Sequence, residues 1–246
     1  TLAALSARGL RADERVGPCA GLSLGEYSAL TWAGALELED AVRLVAKRGQ
    51  AMQRASEERP SGMLSLVGAT AEAAEAVCAA ARGDGVLVVA NLLAPGQVAI
   101  AGTNDALERA EGILKEHGVR KAVRLPVAGA FHSPCMESAA ADLAEALAAT
   151  TIHEPRVPVV MNVSAEPTTD PATIGELLRR QVTSPVLWQA SMERLMTDGT
   201  RAFLEPAPGK QLTNMLRRYD GDSVAATCGS ASDLTTFDRW PGEGEG

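Results

Sequence analysis

The sequence predicts an α/β fold: a core with a parallel sheet, interrupted by an inserted smaller unit of ferredoxin-like order. Three observations predict it. Helical and strand periodicities alternate along most of the chain, which is the pattern of α/β layers. Between residues 60 and 127 the order is β-α-β-β-α-β, the ferredoxin-like sequence of elements. And Gly21-Leu22-Ser23-Leu24-Gly25 sits between a short apolar run and a helical stretch, so a strand there turns sharply into a helix.

Taken in order, residues 2–11 read as the end of a helix and residues 16–20 as a short buried strand. The helix after the turn begins within residues 26–33. Residues 40–55 form an amphipathic helix whose apolar stripe is Ala41, Leu44, Val45 and Met52, with Arg43, Lys47, Gln50 and Arg54 opposite. Pro60-Ser61-Gly62 breaks that pattern. Strand 63–67, helix 71–81, strand 86–91, a Pro95-Gly96 turn, strand 97–101, helix 104–117 and strand 121–127 then make up the inserted unit. Ser133 is a good N-cap and Pro134 a good first residue for a helix reaching about residue 148. A buried strand over 157–163, with Asn162 near its end, is followed by helix 174–181 and a helix starting within 184–188. The last expected strand is 202–205, followed by a Pro206-Ala207-Pro208-Gly209-Lys210 turn. The pattern decays from Tyr219, and 241–246 read as a disordered tail. The expected division is a core of 1–59 and 128–225, a small subdomain of 60–127, and a C-terminal tail of 226–246.

Composition narrows the function classes. Of 246 residues 46% are hydrophobic but only 3% aromatic, so the core is built from Ala, Val and Leu. A net charge of −8 with no basic tract argues against a general nucleic-acid binder. Cys19, Cys78, Cys135 and Cys228 are scattered without a C-x-x-C pair, which points to reduced thiols and a cytoplasmic location. His117, His132 and His153 lack metal-ligand spacing, and no apolar run reaches the ~20 residues of a membrane helix, so neither a metal nor a membrane is expected.

Three residues stand at positions suited to chemistry. The glycines of G-x-S-x-G let backbones come close at a sharp turn, where side chains at both positions are expected to collide. The turn would leave Ser23 Oγ at a helix N-terminus, with the Leu24 N–H facing a developing oxyanion. The same pattern also fits a glycine-rich turn holding an uninvolved serine. Arg48 falls inside the apolar stripe of its helix. An inward cation needs a partner, either an anionic substrate or a structural carboxylate, unless it snorkels to the surface. His132 lies at a strand-to-helix junction and is expected to be exposed in a cleft; a loop histidine bonded to backbone is the other reading. Together the three suggest acyl transfer, with a serine nucleophile, a histidine base and an arginine that reads a carboxylate.

In six ordered segments the chain resembles the malonyl-CoA:acyl carrier protein transacylases and the related acyltransferase domains of fatty acid and polyketide synthases. The segments are Gly21-Leu-Ser-Leu-Gly-Glu-Tyr-Ser-Ala-Leu30, Lys47-Arg-Gly-Gln-Ala-Met52, Ala94-Pro-Gly-Gln-Val-Ala-Ile-Ala-Gly102, Gly129-Ala-Phe-His-Ser133, Gln181-Val-Thr-Ser-Pro-Val-Leu-Trp188 and Leu204-Glu-Pro-Ala-Pro-Gly-Lys210. The resemblance spans about residues 16–218 and implies a hydrolase-like core. It implies that Ser23 carries a malonyl ester and that His132 is its base and later acid. The Gln181 main-chain carbonyl would orient His132 in place of a triad aspartate. Arg48 would hold the malonyl carboxylate, and Leu24 would give one oxyanion N–H. Phe131 resembles the malonyl-selective form, in which the ring crowds an α-methyl group. The implied reaction is ping-pong transfer from malonyl-CoA, a substrate and not a bound cofactor, to the phosphopantetheine thiol of an acyl carrier protein.

The chain departs from the family pattern in three places. Leu22 stands where the family usually has histidine, which changes a pocket wall. Of the family's Asn-x-Asn-Ser only Asn91, a substrate-side candidate, remains before Leu92, Leu93 and Ala94. The second oxyanion N–H of the family comes from a glycine-rich loop after an earlier strand; little chain precedes Ser23, so the N-terminal part of the core is expected to be missing. Two other functions are set beside acyl transfer. A serine hydrolase or thioesterase would want a triad acid between Ser23 and His132, and a catalytically silent carrier-binding fragment would follow from an incomplete N-terminus. Carrier docking on an acidic chain would need a local basic patch, either Lys210, Arg217 and Arg218 or Arg120, Lys121 and Arg124.

Overall fold

Short aliphatic strands and Ala-rich helices of this sequence assemble into three packed clusters around two main sheets. The computed structural model describes residues 12, 17–219, 222–230 and 233. The helix expected over 2–11, the first residue of the strand expected over 16–20, the expectation of a missing N-terminal core and the tail at 241–246 lie outside the described residues.

In the first cluster β1 (Cys19–Ala20) pairs in parallel with β6 (Val159–Val160), Cys19 opposite Val159. β7 (Pro167–Thr168) pairs with the other edge of β6 but runs antiparallel. The described core sheet is therefore mixed, where a parallel one is expected from sequence. The link 161–166 is too short for the crossover that a parallel return needs, which takes a dozen residues or more. Around this sheet α1 (Leu24–Ala33), α2 (Leu38–Glu58), α5 (Glu137–Ala148) and α6 (Pro171–Gln181) bury Leu30, Leu44, Met52, Leu143 and Leu178 in one aliphatic core. The stripe on α2 is as expected: Ala41, Leu44 and Met52 are buried, Val45 is half-buried, and Arg48 is buried with them. α6 starts three residues before the expected position, because Asp170 caps it through the Thr173 N–H and Pro171 fills its first turn.

The second cluster is the unit between Pro60 and Val127. Its elements are β2 (Ser61–Val67), α3 (Ala71–Ala81), β3 (Leu87–Ala94), β4 (Gln97–Thr103), α4 (Asn104–Ile113) and β5 (Lys121–Arg124). The strands form one antiparallel sheet in the order β3-β4-β2-β5. Leu64, Leu66, Val77, Leu87, Ile100 and Leu107 fill the space between sheet and helices. The helix expected over 104–117 finishes as a 3₁₀ turn from Leu114, closed by Gly118 at φ 73°. β5 ends at Arg124, short of the expected 127: the Leu125 N–H still bonds the Met63 carbonyl at 3.0 Å, and the chain then turns toward the core.

The third cluster joins α7 (Trp188–Thr197), β8 (Ala202–Glu205), α8 (Gln211–Leu216) and β9 (Val224–Thr227). β9 pairs in parallel with β8, Thr227 opposite Glu205, so ordered pairing reaches into the segment expected to be tail from 226. Its Val-Ala-Ala-Thr sequence carries little apolar contrast; its partner strand, not its own pattern, makes it a strand. Residues 184–187 are not helical; Val186 instead bridges Asn91 of β3 in parallel and ties this cluster to the small sheet. Among the described residues, no helix is long and apolar enough to cross a membrane.

Candidate active site

The turn between β1 and α1 is drawn tight by main-chain contact. A Cβ placed on Gly21 would lie 2.0 Å from the Gly25 carbonyl oxygen and 2.6 Å from the Glu26 nitrogen, so only glycine fits there. A Cβ on Gly25 would meet nothing within 4 Å. The expectation that both glycines avoid a collision is thus corrected. Only Gly21 is in close approach; Gly25 points its α-hydrogens into open space.

Ser23, the residue before α1, has φ 52° and ψ −104°, a conformation costly for an L-residue. Two bonds from one buried side chain hold it. Asn162, just after β6, accepts from the Ser23 N–H at 2.7 Å and donates to the Gly21 carbonyl at 2.7 Å. Ser23 makes no side-chain cap to its own helix, so its hydroxyl is free for other partners. Those are His132 Nε2 at 2.8 Å and Arg48 Nη2 at 2.8 Å. The Leu24 N–H, at the first position of α1, has no acceptor among the described residues. It faces the end of the helix where an anion is favoured.

His132 reaches the serine from a loop fixed at several points. The Ala130 N–H donates to Ser61 Oγ at 3.0 Å, and Ser133 Oγ donates to the Ala130 carbonyl at 2.5 Å and accepts from Cys135 N at 3.2 Å. His132 itself has φ 61°. It is only 4% exposed, where an exposed histidine is expected from sequence. The loop folds under the core so that the imidazole Nδ1 meets the Gln181 carbonyl at 2.8 Å. A carbonyl can only accept, so Nδ1 carries the proton and Nε2 is left as the acceptor for the serine hydroxyl. Burial pulls the imidazole down to about 4, helped by Arg48 and opposed by the Gln181 carbonyl, so it is a neutral base at pH 7. Gln181 ends α6, where unpaired carbonyls carry partial negative charge that favours an imidazolium once formed.

Arg48 is 6% exposed and makes no ion pair among the described residues. Its Nη2 donates to Ser23 Oγ and, at 3.1 Å, to Gln181 Oε1, and its guanidinium stands 5.8 Å from the centre of the Tyr27 ring. Its Nε and the Tyr27 hydroxyl are both buried and, among the described residues, neither makes a hydrogen bond of good geometry, although the two side chains interact with each other. Burial removes the snorkelling reading; no carboxylate makes a direct ion pair with Arg48 among the described residues, and Glu26 is linked to it through the Gln181 side chain. Burial lowers the guanidinium from its ordinary value, with Tyr27 and Glu26 opposing.

Phe131, next to the base, is half-buried against the main core. Asn91 is buried in β3 and paired by main chain toward Val186, and it makes no side-chain bond to Ser23, Arg48, His132 or Gln181. Leu22 is half-buried and packs against the third cluster. Two functional residues were missed by sequence reasoning. By sequence Asn162 is only the end of a strand, although a lone amide in a Val-rich run must find partners. Glu26 resembles an ordinary first-turn acid that suits a helix dipole. In the structure it is 1% exposed, and its carboxylate accepts from the Asn162 N–H at 2.6 Å and from Gln181 Nε2. Among the described residues, no group of three or more His, Cys, Asp and Glu is placed to hold a metal ion.

The arrangement provides a serine hydroxyl bonded to a neutral imidazole, a main-chain N–H at a helix N-terminus, and a buried cation with no direct ion pair among the described residues. The model of the acyl transferase domain family matches residues 1–232. The chain is 43% identical over 202 residues to the malonyl CoA-acyl carrier protein transacylase of Bacillus subtilis, covering 82% of this chain and 64% of that protein. A solved acyl-carrier-protein S-malonyltransferase of Bartonella henselae superposes with a TM-score of 0.91 at 36% identity, covering 97% of this chain and 76% of that one. A malonyl-transacylase solved in complex with its type II PKS acyl-carrier protein superposes at 0.89 with 33% identity, covering 96% and 76%. The chain thus spans about two thirds of the length of the curated relative it matches.

Proposed function

The chain belongs to the acyl transferase domain family, and from that premise we propose that it moves a malonyl group from coenzyme A to the phosphopantetheine thiol of an acyl carrier protein. The observation that carries this reading is Arg48, a buried guanidinium with no direct ion pair among the described residues, bonded to the hydroxyl of Ser23. Glu26 reaches this cation only through the Gln181 side chain, so a ligand carboxylate would be its first direct ion pair. A malonyl carboxylate takes a guanidinium in a bidentate pair and places the thioester carbon beside Ser23.

The chemistry follows from the hydrogen bonds. His132 Nε2 takes the Ser23 proton as Oγ attacks the thioester carbon, and the oxyanion forms at the Leu24 N–H. The resulting imidazolium is held by the Gln181 carbonyl at Nδ1, the part an aspartate plays in the Ser-His-Asp triad. Collapse breaks the C–S bond, and His132 gives its proton to the leaving coenzyme A thiolate. The pantetheine thiol then runs the same steps in reverse order. Coenzyme A thioester is substrate, and no bound cofactor is required. Phe131 beside the base supports malonyl over α-substituted acyl groups, and Asn91 is assigned to the substrate-side wall reached through β3.

The β-α-β-β-α-β order of residues 60–127 and its strand order support a ferredoxin-like subdomain inserted into a hydrolase-like core of 1–59 and 128–225. Arg124 is held by Glu111 through two bonds of 3.0 and 2.8 Å, so the exposed Lys210, Arg217 and Arg218 flanking α8 better support carrier docking. Four free thiols fit a cytoplasmic setting.

The test is a partition assay: malonyl-CoA and holo-carrier protein are supplied together, and carrier malonylation is measured against free malonate release. Transfer predominates if the reading holds. Malonate release at a comparable rate, with or without carrier, would show a hydrolase instead.

A further inference from the structure

Buried in the site is a carboxylate that the acyl-transfer chemistry does not use. Glu26 is 1% exposed on the first turn of α1, three residues after the nucleophile. Its two oxygens go to two different segments. Oε1 accepts from the main-chain N–H of Asn162, whose side chain clamps both Gly21 and Ser23 in the strained elbow. Oε2 accepts from Gln181 Nε2, which also donates to the Ser23 carbonyl at 2.9 Å. The other end of that amide, Oε1, accepts from Arg48, and the Gln181 main-chain carbonyl holds His132 Nδ1. Both side-chain polar atoms and the main-chain carbonyl of Gln181 are therefore engaged in the site, and an acceptor at each oxygen of residue 26 fits the orientation of its amide.

We propose that Glu26 is a positioning residue for catalysis: its carboxylate ties the clamp on the nucleophile, through Asn162, to the anchor of the base, through Gln181. It touches no reacting atom and acts through these two partners. The inference rests on the acyl-transfer reading of Ser23 and His132, but its geometry is independent of which acyl group is carried. Burial holds the carboxyl up at about 7, with the Asn162 N–H, Gln181 and Arg48 all favouring its charged form. A group kept buried against that penalty, with both oxygens engaged, is placed to fix geometry.

Glu26→Gln isolates the effect. The new amide can accept from the Asn162 N–H through its oxygen, but its NH2 then faces the NH2 of Gln181. Turning the Gln181 amide over would aim that NH2 at the Arg48 guanidinium and leave the Ser23 carbonyl only the longer bond from the Glu26 N–H, at 3.2 Å. In either case the Gln181 side chain loses a bond that fixes the residue, which loosens the hold of its main-chain carbonyl on His132. Two readouts apply to the full chain. One is the imidazole ¹H–¹⁵N spectrum, simplified because the chain has three histidines, in which the Nδ1–H of His132 reports its bond to Gln181. The other is the single-turnover rate of Ser23 acylation from malonyl-CoA. The expected result is a shifted His132 resonance and acylation slower by about 10- to 100-fold, the size of losing one charge-assisted bond that orients a catalytic group. Should Glu26→Gln not fold, Gln181→Met removes the Glu26 contact together with those to Ser23 and Arg48 while leaving the Glu26–Asn162 bond, and it is expected to shift the same resonance. A wild-type His132 signal with wild-type acylation in the folded variant overturns the proposal. So does a failure of both variants to fold, which would assign the carboxylate to stability alone. If the wild-type chain is not acylated at all, the functional reading fails, and the spectrum still decides the role of Glu26.

Discussion

Gly21→Ala and Gly25→Ala alter the same G-x-S-x-G turn by one methyl each, and the structure expects opposite outcomes. At Gly21 the new Cβ would lie 2.0 and 2.1 Å from the Gly25 carbonyl oxygen and carbon, where real contacts do not fall below 3.0 Å, so the turn must open by about 1 Å. Overpacking of that kind costs about 1–3 kcal/mol. The opening also disturbs the 2.7 Å bond from Asn162 to the Gly21 carbonyl, worth about 1 kcal/mol more. A sum of about 2–4 kcal/mol lowers Tm by roughly 5–15 °C for a chain of this size. At Gly25 the Cβ meets nothing within 4 Å, and alanine restricts the unfolded chain. Its Tm should be unchanged or higher by about 1–3 °C. Differential scanning calorimetry of both variants and the parent is the assay. Equal destabilisation by the two, or a silent Gly21→Ala, would refute the close-packing argument for this turn.

Three further outcomes follow from the site. Asn162→Ala leaves the Ser23 N–H and the Gly21 carbonyl without their buried partners and should cost about 2–4 kcal/mol in urea unfolding; a loss below about 0.5 kcal/mol would show that the elbow is held otherwise. Arg48→Ala should erase preference for malonyl-CoA over acetyl-CoA by about 10- to 150-fold in kcat/KM, the value of a charge-assisted bond, and an unchanged ratio would remove Arg48 as the carboxylate's partner. The pH dependence of stability should split between two buried groups of opposite sign. His132, held down at about 4, binds fewer protons folded than unfolded between about 4 and 6.5, so its term makes stability rise with pH there. Glu26, held up at about 7, binds more protons folded between about 4.5 and 7, so its term makes stability fall with pH there. The two oppose each other in the parent. Glu26→Gln should therefore steepen the rise, and His132→Gln should expose the fall, each by up to about 1.4 kcal/mol per pH unit. Parallel stability curves for the three proteins would contradict this assignment.

Much of this was legible in the sequence because single residues carried it. Arg48 inside an apolar stripe at helical spacing pointed inward, and it is buried beside the serine. Ser133-Pro134 marked a helix start next to His132, and the 3₁₀ turn begins there. What was not legible depended on contacts between distant segments. The burial of His132 follows from a loop folding onto the end of α6, 49 residues later, which no local pattern encodes. Glu26 reads locally as a helix-dipole acid, and its inward turn is set by Asn162 and Gln181, more than 130 residues away. The strand β9 exists through its pairing with β8, and the antiparallel β7 through a short link; neither has a strong apolar signature of its own.

The central claim is that Ser23, His132 and Arg48 form a working acyl-transfer site. It is tested most directly by intact-protein mass spectrometry after brief incubation with malonyl-CoA, with peptide mapping of the adduct. The account predicts one malonyl group, on Ser23, absent in Ser23→Ala and discharged when holo-carrier protein is added. A folded chain that gains no adduct, or gains it elsewhere than Ser23, would contradict it.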